Sequence, residues 1–99
     1  MTPSDGLDRH DLGQRNAYTP ILNGDGEWVG IHEWHVCRDP DGEPSAGAVW
    51  FDVAGLPDYA DSGPKWTVES WAPLTISPSV ACRVCGHHGF IRDGRWVPA

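Results

Sequence analysis

Two groups of residues in this 99-residue chain have types and spacing that could do chemistry, and they adjoin. The first is Cys82-Arg83-Val84-Cys85-Gly86-His87-His88-Gly89, which packs two cysteines, two glycines and two histidines into eight positions. A C-x-x-C-G turn brings two sulfurs into one space while Gly86 relieves the backbone at the reversal, and tetrahedral zinc suits that geometry. A closed structural zinc site takes four ligands. Cys37 stands 45 residues before Cys82, and His35 lies two positions earlier, on the same face of an extended chain. Cys37, Cys82, Cys85 and His35 thus form a Cys3His set that pins an upstream strand to the turn. His87 is the rival fourth ligand, because it follows the knuckle glycine. His32 is a third option that strand alternation puts on the opposite face. Four protein ligands leave no open coordination position, so the expected role of zinc is structural. Buried thiols acting as small apolar residues, or a redox pair, are the alternatives. A redox C-x-x-C normally opens a helix in a βαβ pattern, which this chain lacks.

The second group is Thr75-Ile76-Ser77-Pro78-Ser79-Val80, with His88 nine residues after Ser79. In an extended segment Ser77 and Ser79 face the same way, and the turn can return His88 towards them. A serine hydroxyl becomes a nucleophile when a base lies within hydrogen-bond reach and an acid orients that base. Glu69 or an Asp is the candidate orienter. Serines and histidines on turns also commonly bond only to backbone or water.

Strands must position these groups. Glu27 to Cys37 alternates: Trp28, Gly30, His32, Trp34 and Val36 on one face, Val29, Ile31, Glu33, His35 and Cys37 on the other. Asp39 to Pro44 is an acidic, turn-rich loop. Ala48 to Val53 and Trp66 to Trp71 predict two further strands. Leu74 to Val80 is extended but holds Pro78, which predicts an edge strand or an irregular segment. Phe90 to Val97 has Asp93-Gly94 between apolar residues, the signal of a two-residue hairpin. No helical pattern of ten or more residues occurs. The expected fold is mainly β: a small single sheet or half-open barrel with long loops, stabilised by the zinc knuckle. Residues 1–26 are polar and rich in turn formers, and predict an extended or flexible N-terminal arm, either wrapping a neighbouring subunit or loose. Residues 27–99 then form the β domain with its knuckle and C-terminal hairpin.

Composition bounds the function. The formal charge of −7 is uneven: residues 1–61 carry 12 acidic and three basic side chains, residues 62–99 two and four. An acidic surface repels phosphate and disfavours nucleic acid as a partner. Six Trp suit a small core built from few residues. No apolar run is long enough to span a membrane, and the N-terminus has neither the basic region nor the apolar core of a signal peptide. Three cysteines cannot all pair with one another, which fits a reducing compartment and metal ligation. The expected location is the cytoplasm of the host cell or a virion.

The block Leu74-Thr75-Ile76-Ser77-Pro78-Ser79-Val80, followed by Cys85, His88-Gly89-Phe90-Ile91 and Asp93-Gly94-Arg95, resembles a family of short phage and bacterial proteins. Their pattern is T-x-S-P-S-(I/L/V) … C-H-S-F-(V/I)-x-D-G-(R/K), often with a Trp-containing strand before it, which Trp66 or Trp71 matches. One bacterial branch of that family occurs beside ubiquitin-like conjugation genes and is viewed as a serine peptidase acting on the ubiquitin-like protein. The resemblance implies that Ser77 and Ser79 match the family serines and His88 its histidine. The chain departs from the pattern at His87, where cysteine is common, and at Gly89, where serine is common. It also ends at Ala99 without the Cys/His-containing tail of many phage members. Two functions follow. One is a small zinc-stabilised hydrolase acting on a ubiquitin-like protein through Ser77 or Ser79 and His88. The other is a non-enzymatic virion component or protein-interaction module.

Overall fold

The computed structural model describes residues 9–36, 44–60, 63–82 and 86–99. Among them nine strands form three small sheets. β1 (His10–Gly13), β2 (Asn16–Leu22), β3 (Trp28–Val36) and β4 (Pro44–Trp50) make a four-stranded sheet in that order. β5 (Thr67–Trp71) pairs with β6 (Leu74–Ser77), and β7 (Val80–Ala81), β8 (His88–Arg92) and β9 (Arg95–Pro98) make the third sheet. Every strand pair within the sheets is antiparallel. The one described parallel link is an isolated bridge between Phe51 and Trp66. The fold is mainly β as expected, but the single sheet or half-open barrel is replaced by three sheets that close on one core.

Residues 10–22 supply β1 and β2, the latter paired along its length with β3. The reason lies in the few apolar positions: Leu12 and Tyr18 are buried, and a neighbouring strand supplies the backbone ladder that composition alone does not reveal. The connection to β3 is built by Asn23. Its side-chain oxygen accepts from the amides of Asp25 and Glu27 at 2.9 Å each, and Gly26 has a positive φ of 81°. Residues 1–8 lie outside the described residues.

The core gathers one face from each sheet. Ile31 and Val49 come from the first, Leu74 and Ile76 from β6, and Val80, Ile91 and Trp96 from the third, around a fully buried Phe51. Full burial of a side chain such as Ile31 or Phe51 is worth about 1.5–3 kcal/mol. Most other tryptophans sit at the margin, where an indole N–H finds a partner. Trp28 Nε1 donates to Gly30 O at 2.8 Å, Trp34 Nε1 to Thr19 Oγ1 at 3.1 Å, and Trp66 Nε1 to Ser79 O at 3.2 Å.

The β8–β9 hairpin turns at Asp93-Gly94, with φ of 52° and 72°, the left-handed pair that a type I′ turn requires. Its tip is tied to β6: Gly94 N donates to Leu74 O at 2.8 Å and Asp93 N to Thr75 Oγ1 at 2.9 Å. A Cβ at residue 94 would also approach Pro73 Cβ to 3.3 Å. Gly94→Val should therefore lose at least the ~1–2 kcal/mol of a left-handed non-glycine residue, read as a lower urea unfolding midpoint, whereas Gly94→Asn should lose less. Equal midpoints for Gly94→Val and wild type would contradict the turn assignment.

Candidate active site

The third sheet brings serine and histidine together. Ala81 on β7 pairs with His88 on β8, and Val80 with Gly89. Ser79 lies two positions before Ala81, so it is the diagonal cross-strand neighbour of His88 on the same face, a separation that an imidazole bridges. Ser79 Oγ and His88 Nε2 are 2.7 Å apart, within hydrogen-bond reach of a nucleophile–base pair. The backbone on both sides is pinned. Trp66 Nε1 holds the Ser79 carbonyl, and Cys82 N donates to His87 O at 2.8 Å across the base of the turn. Gly86, with φ of 77°, donates to Cys82 O at 2.9 Å. Ser77 ends β6 opposite Thr67, on the other side of a bend at Pro78, and His88 meets Ser79 rather than Ser77. Glu69, one of the candidate orienters, is exposed on β5, and no hydrogen bond joins it to His88 among the described residues.

His88, Phe90 and Arg92 share the outward face of β8. The rings of His88 and Phe90 are 6.5 Å apart, and the Arg92 guanidinium sits 4.2 Å over Phe90. The inward face carries His87, Gly89 and Ile91. His87 is stacked between two rings, His35 at 4.7 Å and Trp96 at 4.7 Å, the latter nearly parallel at 7°. Gly89 lies directly under the Trp96 indole, where a Cβ would come within 2.5 Å of ring carbon Cε2.

Behind His87 lies a polar network that sequence reasoning missed. Glu33 and His35 occupy the inward register of β3 after Val29 and Ile31, and both are buried. The two Glu33 oxygens lie 3.0 and 3.1 Å from His35 Nδ1. Asn16, 1% exposed, donates from Nδ2 to Glu33 Oε2 at 2.8 Å, and its Oδ1 is 2.9 Å from His87 Nε2. The signal for Glu33 was the inward alternation itself, which places a carboxylate on the face that Val29 and Ile31 bury. Asn16 offered no such signal in a stretch read as polar.

Of the expected zinc ligands, His35 and His87 are brought face to face, and Cys82 is half-buried at the start of the turn. His32 is exposed on the opposite face of β3, 6.4 Å from Trp34. Cys37 and Cys85 lie outside the described residues. No group of three or more His, Cys, Asp or Glu side chains arranged to hold a metal occurs among the described residues.

The pKa of His87 is lowered from the ordinary 6.5, first by burial and next by the neighbouring His35, while Glu33 pulls it partly back up. The unfolded chain therefore binds more protons than the folded one between the lowered value and about 6.5. This contribution to stability is present above about pH 6.5 and is lost as pH falls through that window. Urea midpoints should decline on acidification below about pH 6.5, and His87→Gln should flatten the decline. Parallel profiles for the two proteins would assign the effect to another group.

Residues 52–99 match the model of a family described as the bacterial ubiquitination-like system serine protease, BubE. The matched span holds β5 to β9, and with them Ser79, His88 and Trp96. It leaves out β1 to β4, and with them Asn16, Glu33 and His35. Neither the curated proteins nor the solved structures provide a match.

Proposed function

We propose that the protein is a serine peptidase of a bacterial ubiquitination-like system, with Ser79 as nucleophile and His88 as general base. The observation that carries this is the 2.7 Å contact between Ser79 Oγ and His88 Nε2. The description of the family matched by residues 52–99 supports the class of reaction and a protein substrate. In the neutral tautomer that accepts from Ser79, His88 carries its proton on Nδ1. The Oγ attacks the carbonyl carbon of the scissile bond as its proton passes to Nε2. The imidazolium then gives that proton to the departing amine, leaving an acyl ester on Ser79. Water, deprotonated by the same nitrogen, cleaves the ester and restores the serine. The ubiquitination-like system named in the family description supports, as the source of that carbonyl, a ubiquitin-like protein or its junction with another chain.

A fluorophosphonate probe should label the wild-type chain once. Labelling should vanish in Ser79→Ala, persist in Ser77→Ala, and slow by ~10²–10⁴-fold in His88→Ala, the usual contribution of a general base. Wild-type protein that resists the probe would leave a non-enzymatic interaction module as the function.

A second reading concerns zinc, and one observation favours it. A metal-ligating histidine characteristically presents its other ring nitrogen to a carboxylate, which fixes its tautomer and orientation. Glu33 holds His35 Nδ1 in this way. Zinc on His35, Cys37, Cys82 and Cys85 would be structural and would tie β3 to the turn before His88. His87 is less suited, because its Nε2 is engaged by Asn16. Native mass spectrometry should show one zinc per chain that acid removes, and Cys82→Ala should unfold the protein, since metal binding and folding are coupled in small domains. Three freely titrating thiols in metal-free, folded protein would defeat this assignment.

A further inference from the structure

His87 and His88 are consecutive, yet they face opposite ways, and only His88 touches the nucleophile. Everything that grips His87 therefore also places His88, through the peptide the two share. The grip is polar on one edge and aromatic on both faces: Nε2 against Asn16, and the ring between His35 and Trp96.

The polar edge has a direction. An ionised carboxylate only accepts hydrogen bonds, so Asn16 must turn Nδ2 towards Glu33. That orientation leaves Oδ1, an acceptor, facing His87, so His87 Nε2 must carry a proton. Donation runs from His87 to Asn16 to Glu33. Glu33 is fixed in turn by His35 on its own strand. The charge at Glu33 thus selects one tautomer and one ring setting of a residue 54 positions later in the chain. It acts across the space between the first and third sheets.

We propose that Glu33 and Asn16 are positioning residues for the Ser79–His88 pair, acting through the Nε2–H tautomer of His87. The proposal rests on Ser79 and His88 being the reacting pair. If the ring of His87 slides or turns over, Asn16 is left buried against an acceptor it cannot satisfy, so the ring stays where the chain of donors holds it. A displacement of about 1 Å in a reacting group can cost on the order of 10²-fold in rate, so this restraint has a kinetic consequence.

Glu33→Gln is the discriminating variant, because it keeps shape while supplying a donor to Asn16. Asn16 can then reverse, and its Nδ2 would face His87. Two readouts are taken on the full chain: ¹⁵N chemical shifts of the histidine rings, and the rate of fluorophosphonate labelling at Ser79. In wild type the His87 proton should sit on Nε2. In Glu33→Gln it should move to Nδ1, and labelling should slow by about tenfold to 10²-fold in protein that is still folded. His87→Phe is the second variant. It keeps a ring between His35 and Trp96 but deletes the donor, and it should slow labelling by a similar factor. A His87 proton on Nδ1 in wild type would overturn the assigned direction. Labelling within twofold of wild type in folded Glu33→Gln or His87→Phe would overturn the positioning role while leaving the Ser79–His88 pair intact. Wild-type protein that is not labelled at all would remove the reacting pair and the positioning role with it, and the ring shifts would still report the direction of the donors.

Discussion

A carboxylate buried between sheets is the constraint on which the rest of this structure depends. Glu33 is 4% exposed, and an ion taken that far from water without partners costs several kcal/mol, of the order of the whole stability of a small domain. It is tolerated because donors come from two directions, His35 on its own strand and Asn16 on the neighbouring one. Asn16 then has an acceptor left over, and His87 of the third sheet satisfies it. A requirement set at one residue of β3 is thereby passed to the turn that precedes His88. The hydrophobic core joins the same sheets without direction; the polar chain sets their register against each other.

Strand alternation turns this restraint into a division of labour. Along β8 and the residue before it the inward positions 87, 89 and 91 pack and bond, while the outward positions 88, 90 and 92 meet solvent and the serine. The reactive face stays accessible because the adjoining backbone is immobilised from behind. Neither face could hold its geometry alone: β7 is only two residues long, and its pairing with β8 is correspondingly short.

Much of this arrangement was legible in the residues. The alternation of Glu27 to Cys37 anticipates β3 and its inward face, Asp93-Gly94 anticipates the hairpin turn, and Gly86 anticipates the reversal after Cys82. The proximity of Ser79 and His88 was foreseeable as a pairing but not as a choice between Ser77 and Ser79, since that depends on the bend at Pro78 and on strand register. The first two strands were not read. Their apolar residues are few, and pairing with β3 does what propensity does not. Even so, Asn23-Gly24-Asp25-Gly26 between Leu22 and Trp28 carries turn chemistry, and counting it would have joined residues 16–22 to the sheet. Asn16 lay beyond such reasoning, because its importance comes from a partner 71 residues away.

The indole of Trp96 lying flat over Gly89 and against His87 has a consequence for how sequences of this kind can diverge. A side chain at 89 would strike the indole, and a small residue at 87 would leave its face bare. Positions 87, 89 and 96 are therefore coupled: filling the space at 89 requires a smaller side chain at 96, and a smaller side chain at 96 uncovers the ring at 87.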